Sequence, residues 1–498
     1  MPNRMIKKLI KHFTPLTAAF LSACTLVQYQ PLAGISAIDT NKGYRLEKNW
    51  EVRNNDDIYM IMVFSGGGTR AAALGYGVLE ELGKQKVWFD GKERTLLESV
   101  DLVYGVSGGS VLAAYFSLHG KDVIPAFERR FLKQNFQRQI TKQAFSLANL
   151  PRLTSPEYGR GDLLQEQFEN TLFRNATFGD LEKRRKGPFA VISATDMSTG
   201  QRFDFTQEYF DSMCLNLSEL RIARAVAASS SVPLVFAPVT LNNNGGNCGY
   251  TLPKPLRQAL ESADKDSLRT LNRKEISNIF ERYNNSNARP YIHLIDGGLT
   301  DNLGLRGLLD IAEAYSDKNL YQRVIEEKGA RKVILINVNA QNQIDTQIDQ
   351  SPNIPGVSDV LNAIINIPID QYSQESLRRV RSFADQWNDT ARNDSDGRHK
   401  GMYFISLNLR DLPESELRKS VLNIPTSFYL PHDDINKLKH AARELLAASP
   451  EYARLLKALS ADPTEHKQIW FPDDPEEDKQ TNSADTKYDG LLKKQVKP

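Results

Sequence analysis

Two glycine-rich runs constrain this chain more than any other feature of its sequence, because each directly follows an apolar stretch with the composition of a buried strand. Residues 66–70 (GGGTR) follow Ile58–Phe64, and residues 105–109 (GVSGG) follow Val100–Tyr104. A stretch of small and apolar residues that favours a helix comes after each run. The order strand, tight turn, helix is that of a nucleophile elbow, in which a G-x-S-x-G turn exposes a serine hydroxyl at the end of a strand.

The second run therefore predicts a nucleophile, and the first run predicts the site that would stabilise its oxyanion. Ser107 is the central serine, and we expect Gly105 and Gly109 to shape its turn because the backbone must pass close by. Free N–H groups at the end of a second strand are the donors that an oxyanion requires. Three consecutive glycines are expected to supply them: Gly66, Gly67 and Gly68.

Apolar stretches separated by helical or irregular sequence predict the strands of the main body. They are Ile58–Phe64, Val100–Tyr104, Phe189–Thr195, Tyr291–Ile295 and Val333–Val338. Near-continuous apolar strands that alternate with helices are typical of a parallel sheet covered on both faces. We therefore predict an α/β fold with a mainly parallel central sheet. Further along, the sequence favours a strand over Met402–Leu407, an amphipathic helix over Ile435–Leu456 and a surface loop over 385–400.

The chain is predicted to consist of a leader, a catalytic body and an extension. The bounds are 1–23 for a signal peptide, 24–57 for a tether and lead-in segment, 58–340 for the catalytic domain, 341–470 for a helical and mixed extension packed on the body, and 471–498 for a disordered tail. The tail is acidic and poor in apolar residues, a composition that cannot offset the entropy of ordering. The oligomeric state stays open.

The amino terminus predicts export and lipid attachment. Its first 12 residues hold four Lys or Arg and no acidic residue, and a short apolar stretch, Phe13–Ala23, follows. That stretch is too short to span a bilayer, for which about 20 apolar residues are needed.

Residues 21–24 (LSAC) resemble the lipobox of bacterial lipoproteins, which implies cleavage before Cys24 and a lipid on that cysteine. An ordinary signal with an incidental cysteine is the alternative. Because Thr25 rather than Asp follows, the expected location is the bacterial cell envelope at the periplasmic side of the outer membrane.

Charge and cysteine content exclude some classes of function. Removal of residues 1–23 takes four of the 63 Lys and Arg residues, which leaves 59 against 61 Asp and Glu. This near balance argues against nucleic acid as a partner, which would require a strongly basic face. Cys214 and Cys248 remain after Cys24, and an oxidising periplasm would permit them to pair, although two unconnected thiols are equally compatible with the sequence. We predict no metal, because no zinc-type cysteine spacing is present.

A serine hydroxyl needs a base to accept its proton. The histidines after the leader all lack a strand-end position: His119, His293, His399, His432, His440 and His466. Asp296 has such a position, since it follows Tyr291–Ile295 and precedes two glycines. Open α/β sheets hold their sites at the carboxyl ends of strands, so Asp296 is the preferred base. Asp196 and Asp301, both in turns, are its rivals.

The runs 66–70 and 105–109 and the Asp296-Gly297-Gly298 turn, in this order, resemble the patatin-like phospholipase family. Residues 194–200 (ATDMSTG) and the small-residue segment 225–238 agree, and the resemblance covers about residues 58–310. It implies a three-layer α/β/α sandwich, a Ser107–Asp296 dyad with Gly67 and Gly68 at the oxyanion, and no metal or organic cofactor. It also implies a phospholipid or lysophospholipid substrate.

Arg70 matches a position at which the related cytosolic phospholipases can turn an arginine toward the substrate phosphate. The alternative is a surface ion pair with Glu80 or Glu81. Two departures from the family pattern are Ser65, where many patatins have Asp, and Ala71, where glycine often follows the arginine. Neither removes a catalytic group, although both make the acyl specificity harder to predict.

Other functions remain open at the level of sequence. A general carboxylesterase or lysophospholipase could use the same residues, and a non-catalytic envelope lipoprotein could keep the same fold. Gly66, Gly68 and Ala71 also fit a dinucleotide fingerprint with Asp90 as the ribose-binding acid. That interpretation leaves Ser107 and the strand-end carboxylate unexplained.

A basic segment, Lys121–Arg152, bears on membrane contact. It contains seven Lys or Arg and two Asp or Glu, and its apolar residues have near-helical spacing: Phe127, Phe131, Phe136 and Ile140. It would be either a helix that lies on an anionic lipid surface or an ordinary helix packed on the core.

Overall fold

The core of the protein is a central β-sheet whose strands are buried on both faces. The computed structural model describes residues 27–48, 58–89, 92–146, 149–265, 267–314, 332–342, 347–392 and 401–460. The predictions for the leader, for Cys24, for Asp90 and for the tail over 471–498 therefore lie outside the described residues, as do His399 and His466.

The strands of the described residues are named in chain order. They are β1 (Ile58–Phe64), β2 (Lys86–Phe89), β3 (Lys92–Thr95), β4 (Val100–Val106), β5 (Phe189–Asp196), β6 (Gln201–Asp204), β7 (Val239–Asn242), β8 (Tyr291–Ile295), β9 (Lys332–Asn339) and β10 (Gly401–Asn408). The five strands predicted for the body are present, and Met402–Leu407 lies within β10. Every residue of β1, β4 and β5 is buried, because helices cover both faces of the sheet.

The sheet is mixed and mostly parallel. Its strands pair in the sequence β10-β9-β1-β4-β5-β8-β7, with β6 also paired to β5, while β2 and β3 form a separate hairpin. The run from β10 to β5 is parallel throughout. In contrast, β6, β7 and β8 pair in antiparallel fashion. The predicted fold class is confirmed, and Asp296 follows β8, one of the antiparallel strands.

Helices flank this sheet. They are α1 (Gly68–Lys84), α2 (Gly108–His119), α3 (Val123–Phe127), α4 (Phe136–Ala144), α5 (Leu150–Leu153), α6 (Arg160–Phe168), α7 (Phe178–Arg184), α8 (Gln207–Ser212), α9 (Ile222–Ser229), α10 (Lys254–Glu261), α11 (Leu268–Tyr283), α12 (Gly298–Asp301), α13 (Leu305–Ala314), α14 (Val357–Arg392), α15 (Glu416–Leu422), α16 (His432–Ala448) and α17 (Pro450–Ser460). Short 3₁₀ segments lie at Leu97–Ser99, Gly120–Asp122, Leu217–Glu219, Gln347–Gln350 and Leu409–Asp411, and π-helical turns at Glu128–Leu132 and Glu169–Phe173. None of the described helices is long and apolar enough to cross a bilayer.

Two details of the carboxyl-terminal third differ from the sequence expectation. The predicted loop over 385–400 is helical as far as Arg392, because α14 buries Trp387 and Ala391 there. The predicted helix over Ile435–Leu456 is two helices that meet at Ser449, since Pro450 cannot donate the N–H that would continue α16.

The basic segment Lys121–Arg152 is a core element. It is broken into short helical pieces, and its four apolar anchors, Phe127, Phe131, Phe136 and Ile140, are all buried. Ring contacts join Phe131 to both Phe127 and Phe136. The burial of these four anchors supports the interpretation as a core-packed segment, although Phe145 at the end of α4 is 78% exposed.

Candidate active site

Ser107 lies at the tight turn between β4 and α2, as the elbow pattern predicts. Its backbone has a φ of 51° and a ψ of −124°, a region that costs a non-glycine residue about 1–3 kcal/mol. A side chain at Gly108 would come within 2.0 Å of the Gly68 carbonyl oxygen, and one at Gly109 within 2.4 Å of the Phe64 carbonyl oxygen. The glycines are therefore required because the two turns pack directly against each other.

Asp296 is in hydrogen-bond contact with this serine. The Ser107 hydroxyl donates to Asp296 Oδ2 at 2.7 Å, and the Gly298 N–H donates to the other carboxylate oxygen, Oδ1, at 2.8 Å. Burial raises the pKa of Asp296 to about 6, against the lowering effect of these two hydrogen bonds. A carboxylate with this pKa is ionised at neutral pH and can still accept a proton in a reaction.

The sheet explains how these residues meet although 189 positions separate them. Ser193 of β5 pairs with both Val106 and Asp204, so β4 and β6 lie on opposite edges of β5. Thr195 pairs with both Arg202 and Ile295, so β8 also lies opposite β6. Strands β4 and β8 therefore share one edge of β5 and run toward each other. Their carboxyl ends meet, which places Ser107 against Asp296.

Ser229, the last residue of α9, holds both dyad residues in place. Its hydroxyl oxygen accepts the N–H of Ser107 at 2.8 Å and donates to the Ser193 carbonyl at 2.6 Å. Its carbonyl accepts the N–H of Gly297 at 3.1 Å, and the Ser231 carbonyl accepts that of Asp296 at 2.9 Å. Sequence reasoning recognised this serine run only through the family resemblance and assigned it no role.

The first glycine run lies beside the serine and presents two N–H groups. Gly66 donates its N–H to the Asn302 carbonyl at 3.0 Å, so that group is already occupied. Thr69 donates to the Ser427 carbonyl at 2.8 Å. Between them, Gly67 and Gly68 have φ values of 134° and 58°, and their N–H groups meet no acceptor in the described part of the chain. Of the three glycines expected to bind the oxyanion, Gly67 and Gly68 therefore remain as candidate donors.

Arg70 lies inside the protein, only 3% exposed. Its Nε donates to the Ala340 carbonyl at 2.8 Å and its Nη1 to the Ile424 carbonyl at 2.5 Å. Burial lowers its pKa to about 10, so the guanidinium remains charged at neutral pH. The suggested surface ion pair with Glu80 or Glu81 is wrong, because the side chain binds main-chain carbonyls instead. The same placement argues against the predicted contact with a substrate phosphate.

The rival bases have other partners. Asp196 accepts two hydrogen bonds from Arg289, at 2.9 and 2.7 Å, and one from Tyr283 at 3.1 Å. Asp301 accepts the Gly307 N–H at 2.7 Å, and burial raises its pKa to about 6. It lines a separate cavity of about 440 Å³, which does not include Ser107. The dyad contact is therefore specific to Asp296.

Among the described residues, no histidine is hydrogen-bonded to Ser107 or Asp296. His293 contacts Thr240 at 3.0 Å, and His440 pairs with Glu444 at 3.3 Å. His119 ends α2, the opposite end of the helix from Ser107, and burial lowers its pKa. The structure therefore offers a serine and a carboxylate in contact, without a histidine between them in the described residues.

Cys214 and Cys248 form a disulfide, with their Cα atoms 5.5 Å apart. The bridge joins the segment after α8 to the loop after β7 and closes a sequence separation of 34 residues. In the described residues, no group of His, Cys, Asp or Glu has the arrangement of a metal site.

One family model and several solved structures match this chain. The family model described as patatin-like phospholipase matches residues 62–309. Among solved structures, human GIVD cytosolic phospholipase A2 matches with a TM-score of 0.40 and 11% identity, over 80% of this chain and 62% of that chain. VipD from Legionella pneumophila matches with a TM-score of 0.28 and 11% identity, over 88% of this chain and 72% of that one.

This chain therefore spans less than two thirds of the human enzyme that it matches. No curated protein matches its sequence. Residues 62–309 form a patatin-like phospholipase domain, and through that domain the chain belongs to the patatin-like phospholipase family.

Proposed function

We propose that this protein is a serine acyl hydrolase that cleaves acyl esters of phospholipids through a Ser107–Asp296 dyad. The observation that carries the proposal is the 2.7 Å hydrogen bond from the Ser107 hydroxyl to a buried carboxylate. A nucleophile within hydrogen-bond reach of a base is the arrangement that covalent acyl transfer requires. The strained elbow supports it, because strain of this kind is typical of reactive positions.

The reaction would proceed through an acyl-enzyme. Asp296 removes the proton of Ser107 as its oxygen attacks the ester carbonyl, and the same proton passes to the departing alcohol. Water then attacks the acyl-enzyme, with Asp296 again as base, and the fatty acid leaves as Ser107 recovers its proton. The N–H groups of Gly67 and Gly68 stabilise the negative oxygen of each tetrahedral intermediate, a contribution of about 3 kcal/mol per donor in comparable sites.

Ser229 acts as a positioning residue in this scheme. It fixes the main chain at Ser107 and at Gly297 through one side chain and one carbonyl. Arg70 has a bracing role, since it ties the end of β9 and the segment near Ile424 to the helix that follows the glycine turn. Its buried positive charge would also favour an oxyanion nearby.

A second candidate is a lysophospholipase or general carboxylesterase. The observation that favours it is the placement of Arg70, which is buried and donates its Nε and Nη1 to main-chain carbonyls, so that fewer of its donors remain for a phospholipid phosphate. Both candidates use the same dyad and differ in the substrate that occupies the crevice.

The proposed location is the cell envelope, with a lipid on Cys24 holding the enzyme to the membrane. The lipobox-like sequence motivates this proposal. The disulfide between Cys214 and Cys248 supports it, because disulfides persist in oxidising compartments such as the periplasm.

The test is hydrolysis by the purified chain of a diacyl phospholipid, a lysophospholipid and a short uncharged ester. Ser107→Ala and Asp296→Asn should each lower kcat by about 10³-fold or more, and the double variant should lose little beyond either, because the two groups act as one unit. The exposed His440→Asn variant is the matched control and should keep its turnover. Equal turnover by Ser107→Ala and the unmodified chain would refute the proposal, and the substrate ranking decides between the two candidates.

A further inference from the structure

The two halves of the long helix α14 differ in the burial of their apolar side chains. Its carboxyl-terminal half buries a stripe of side chains against the body beside β10: Leu377, Val380, Ala384 and Trp387. Asn388 fastens that half to β10 through both main-chain groups of Met402, at 2.8 and 3.1 Å. In its amino-terminal half, before Pro368, most apolar side chains are exposed in the part of the chain that the structure describes, while Ala363 and Ile365 are half-buried.

Those side chains form one stripe. Their exposed fractions are 78% for Val357, 47% for Val360, 37% for Leu361, 62% for Ile364 and 58% for Ile367. The spacing i, i+3, i+4, i+7, i+10 places all five on one face of a helix. The opposite face carries Asp359, Asn362 and Asn366. We call Val357–Ile367 the projecting segment, and Ile354, 94% exposed, precedes it.

The projecting segment leaves the body at the edge that holds the dyad. Strands β1, β4, β9 and β10 are parallel, so their carboxyl ends share one edge, and the glycine turn and Ser107 follow β1 and β4 there. Beyond β10, Arg410 pairs with Asp370 at 2.6 Å, and beyond β9, Gln341 donates to the Ser373 hydroxyl at 3.2 Å. Helix α14 is therefore held at this edge immediately after the projecting segment.

The same edge is linked to the catalytic turn by direct contacts. Ala340 receives the Arg70 hydrogen bond on its carbonyl and donates its own N–H to the Ser65 hydroxyl at 3.0 Å. The next residue is Gln341, which holds α14. Ala340 and Gln341 thus connect the helix that carries the projecting segment to the glycine turn beside Ser107.

The chemistry of the stripe indicates what covers it. Valine, leucine and isoleucine supply its whole surface, and residues 342–377 contain no Lys or Arg. It would therefore bind by apolar insertion and not by attraction to anionic groups. At 1.5 Å per residue the segment is about 16 Å long, enough to lie in an interface and too short to span a bilayer.

We propose that the projecting segment inserts its apolar stripe into the surface of a phospholipid bilayer and so holds the catalytic crevice against its substrate. The inference rests on the proposed function, because a lipid surface is the partner that an acyl hydrolase of phospholipids must meet at this edge. It assigns a role to part of the extension that lies beyond the matched residues 62–309. The lipid on Cys24 would confine the enzyme to a membrane, and the segment would orient it.

The test measures binding without turnover. The full chain with Ser107→Ala and Cys24→Ser is sedimented with phosphatidylcholine vesicles, with and without the added pair Ile364→Glu and Ile367→Glu. The matched control adds Asn362→Glu and Asn366→Glu, which introduce the same charge on the opposite face. We expect the isoleucine pair to weaken vesicle binding by about tenfold or more and the asparagine pair to change it less than twofold, because only the first buries charge in the interface. High salt should leave binding of the parent chain unchanged.

Kinetics on chains that keep Ser107 complete the test. The ratio of vesicle hydrolysis to hydrolysis of a soluble short ester should fall with the isoleucine pair and stay constant with the asparagine pair. Unchanged vesicle binding would overturn the inference, as would a parent chain that sediments as a dimer and becomes monomeric with the isoleucine pair, since a second copy would then cover the stripe. Absence of hydrolysis on every ester would instead contradict the proposed function and leave the binding result standing.

Discussion

For Arg70→Ala, the structure predicts a loss of stability, whereas the family resemblance implied the loss of a contact with the substrate phosphate. The side chain donates to two buried carbonyls, at 2.8 Å on Ala340 and 2.5 Å on Ile424, and is 3% exposed. Hydrogen bonds to a charged group contribute about 1.5–3 kcal/mol each, so the variant should lose about 3–6 kcal/mol of unfolding free energy. A typical domain has about 5–15 kcal/mol in total, so this loss would be readily measured.

The assay has two arms. Urea unfolding gives the loss of stability, and kcat/KM is measured on a diacyl phospholipid and on a short uncharged ester. Because Arg70 supports the glycine turn, we expect the two kcat/KM values to fall by the same factor. Arg70→Lys should recover only part of the stability, since a single ammonium cannot reach both carbonyls with the geometry of the guanidinium fork.

A different result would support a direct contact between Arg70 and the substrate phosphate. If Arg70→Ala kept the stability of the parent chain and lost about tenfold more activity on phospholipid than on the uncharged ester, the guanidinium would bind the head group directly. The bracing role would then be wrong.

Three further predictions follow from the same contacts. Because burial raises the pKa of Asp296 to about 6 and the base must be ionised, kcat/KM should fall about tenfold per pH unit below pH 6, and a profile that stays flat down to pH 5 would contradict this. Replacing Cys214 and Cys248 with serine should cost about 3–4 kcal/mol of unfolding free energy for a 34-residue closure, and an unfolding midpoint insensitive to reductant would show that they are unpaired. Cys24→Ser should move the mature protein from the membrane fraction toward the soluble fraction, and an unmodified Cys24 in the mature protein would exclude the anchor.

The catalytic half of the fold could be read from the sequence because its signals are local. The apolar runs before the two glycine turns are long enough to be buried on both faces, and β1 has the predicted bounds Ile58–Phe64. The elbow at Ser107 is likewise a local feature, since a glycine pattern between strand and helix defines it.

The direction of β8 could not be read in this way. Its sequence alternates exposed Tyr291 and His293 with buried Ile292 and Leu294, the pattern of a strand that is half solvated. That alternation is a signal for a half-solvated antiparallel strand, but strand pairing depends on partners far away in the chain. The sequence therefore predicted the position of Asp296 at a strand end and left the direction of that strand undetermined.

The roles of Ser229 and Arg70 depend on long-range contacts, so they could not be predicted from the sequence around each residue. Ser229 reaches Ser107 across 122 residues, and Arg70 reaches Ile424 across 354 residues. A residue type alone cannot distinguish a buried arginine that binds carbonyls from one that faces a phosphate. Whether the arginine binds carbonyls or faces a phosphate depends on which distant segments pack against its side chain.

The central claim is that Ser107 is a nucleophile activated by Asp296 alone, and covalent labelling tests it most directly. A long-chain fluorophosphonate reacts with an activated serine by loss of fluoride, and peptide mass mapping identifies the modified residue. We predict a single adduct on Ser107, formed at least about 10³-fold more slowly in Asp296→Asn and at the parent rate in His293→Gln and His440→Asn. An adduct on another residue, no adduct at all, or a histidine variant as slow as Asp296→Asn would contradict the dyad.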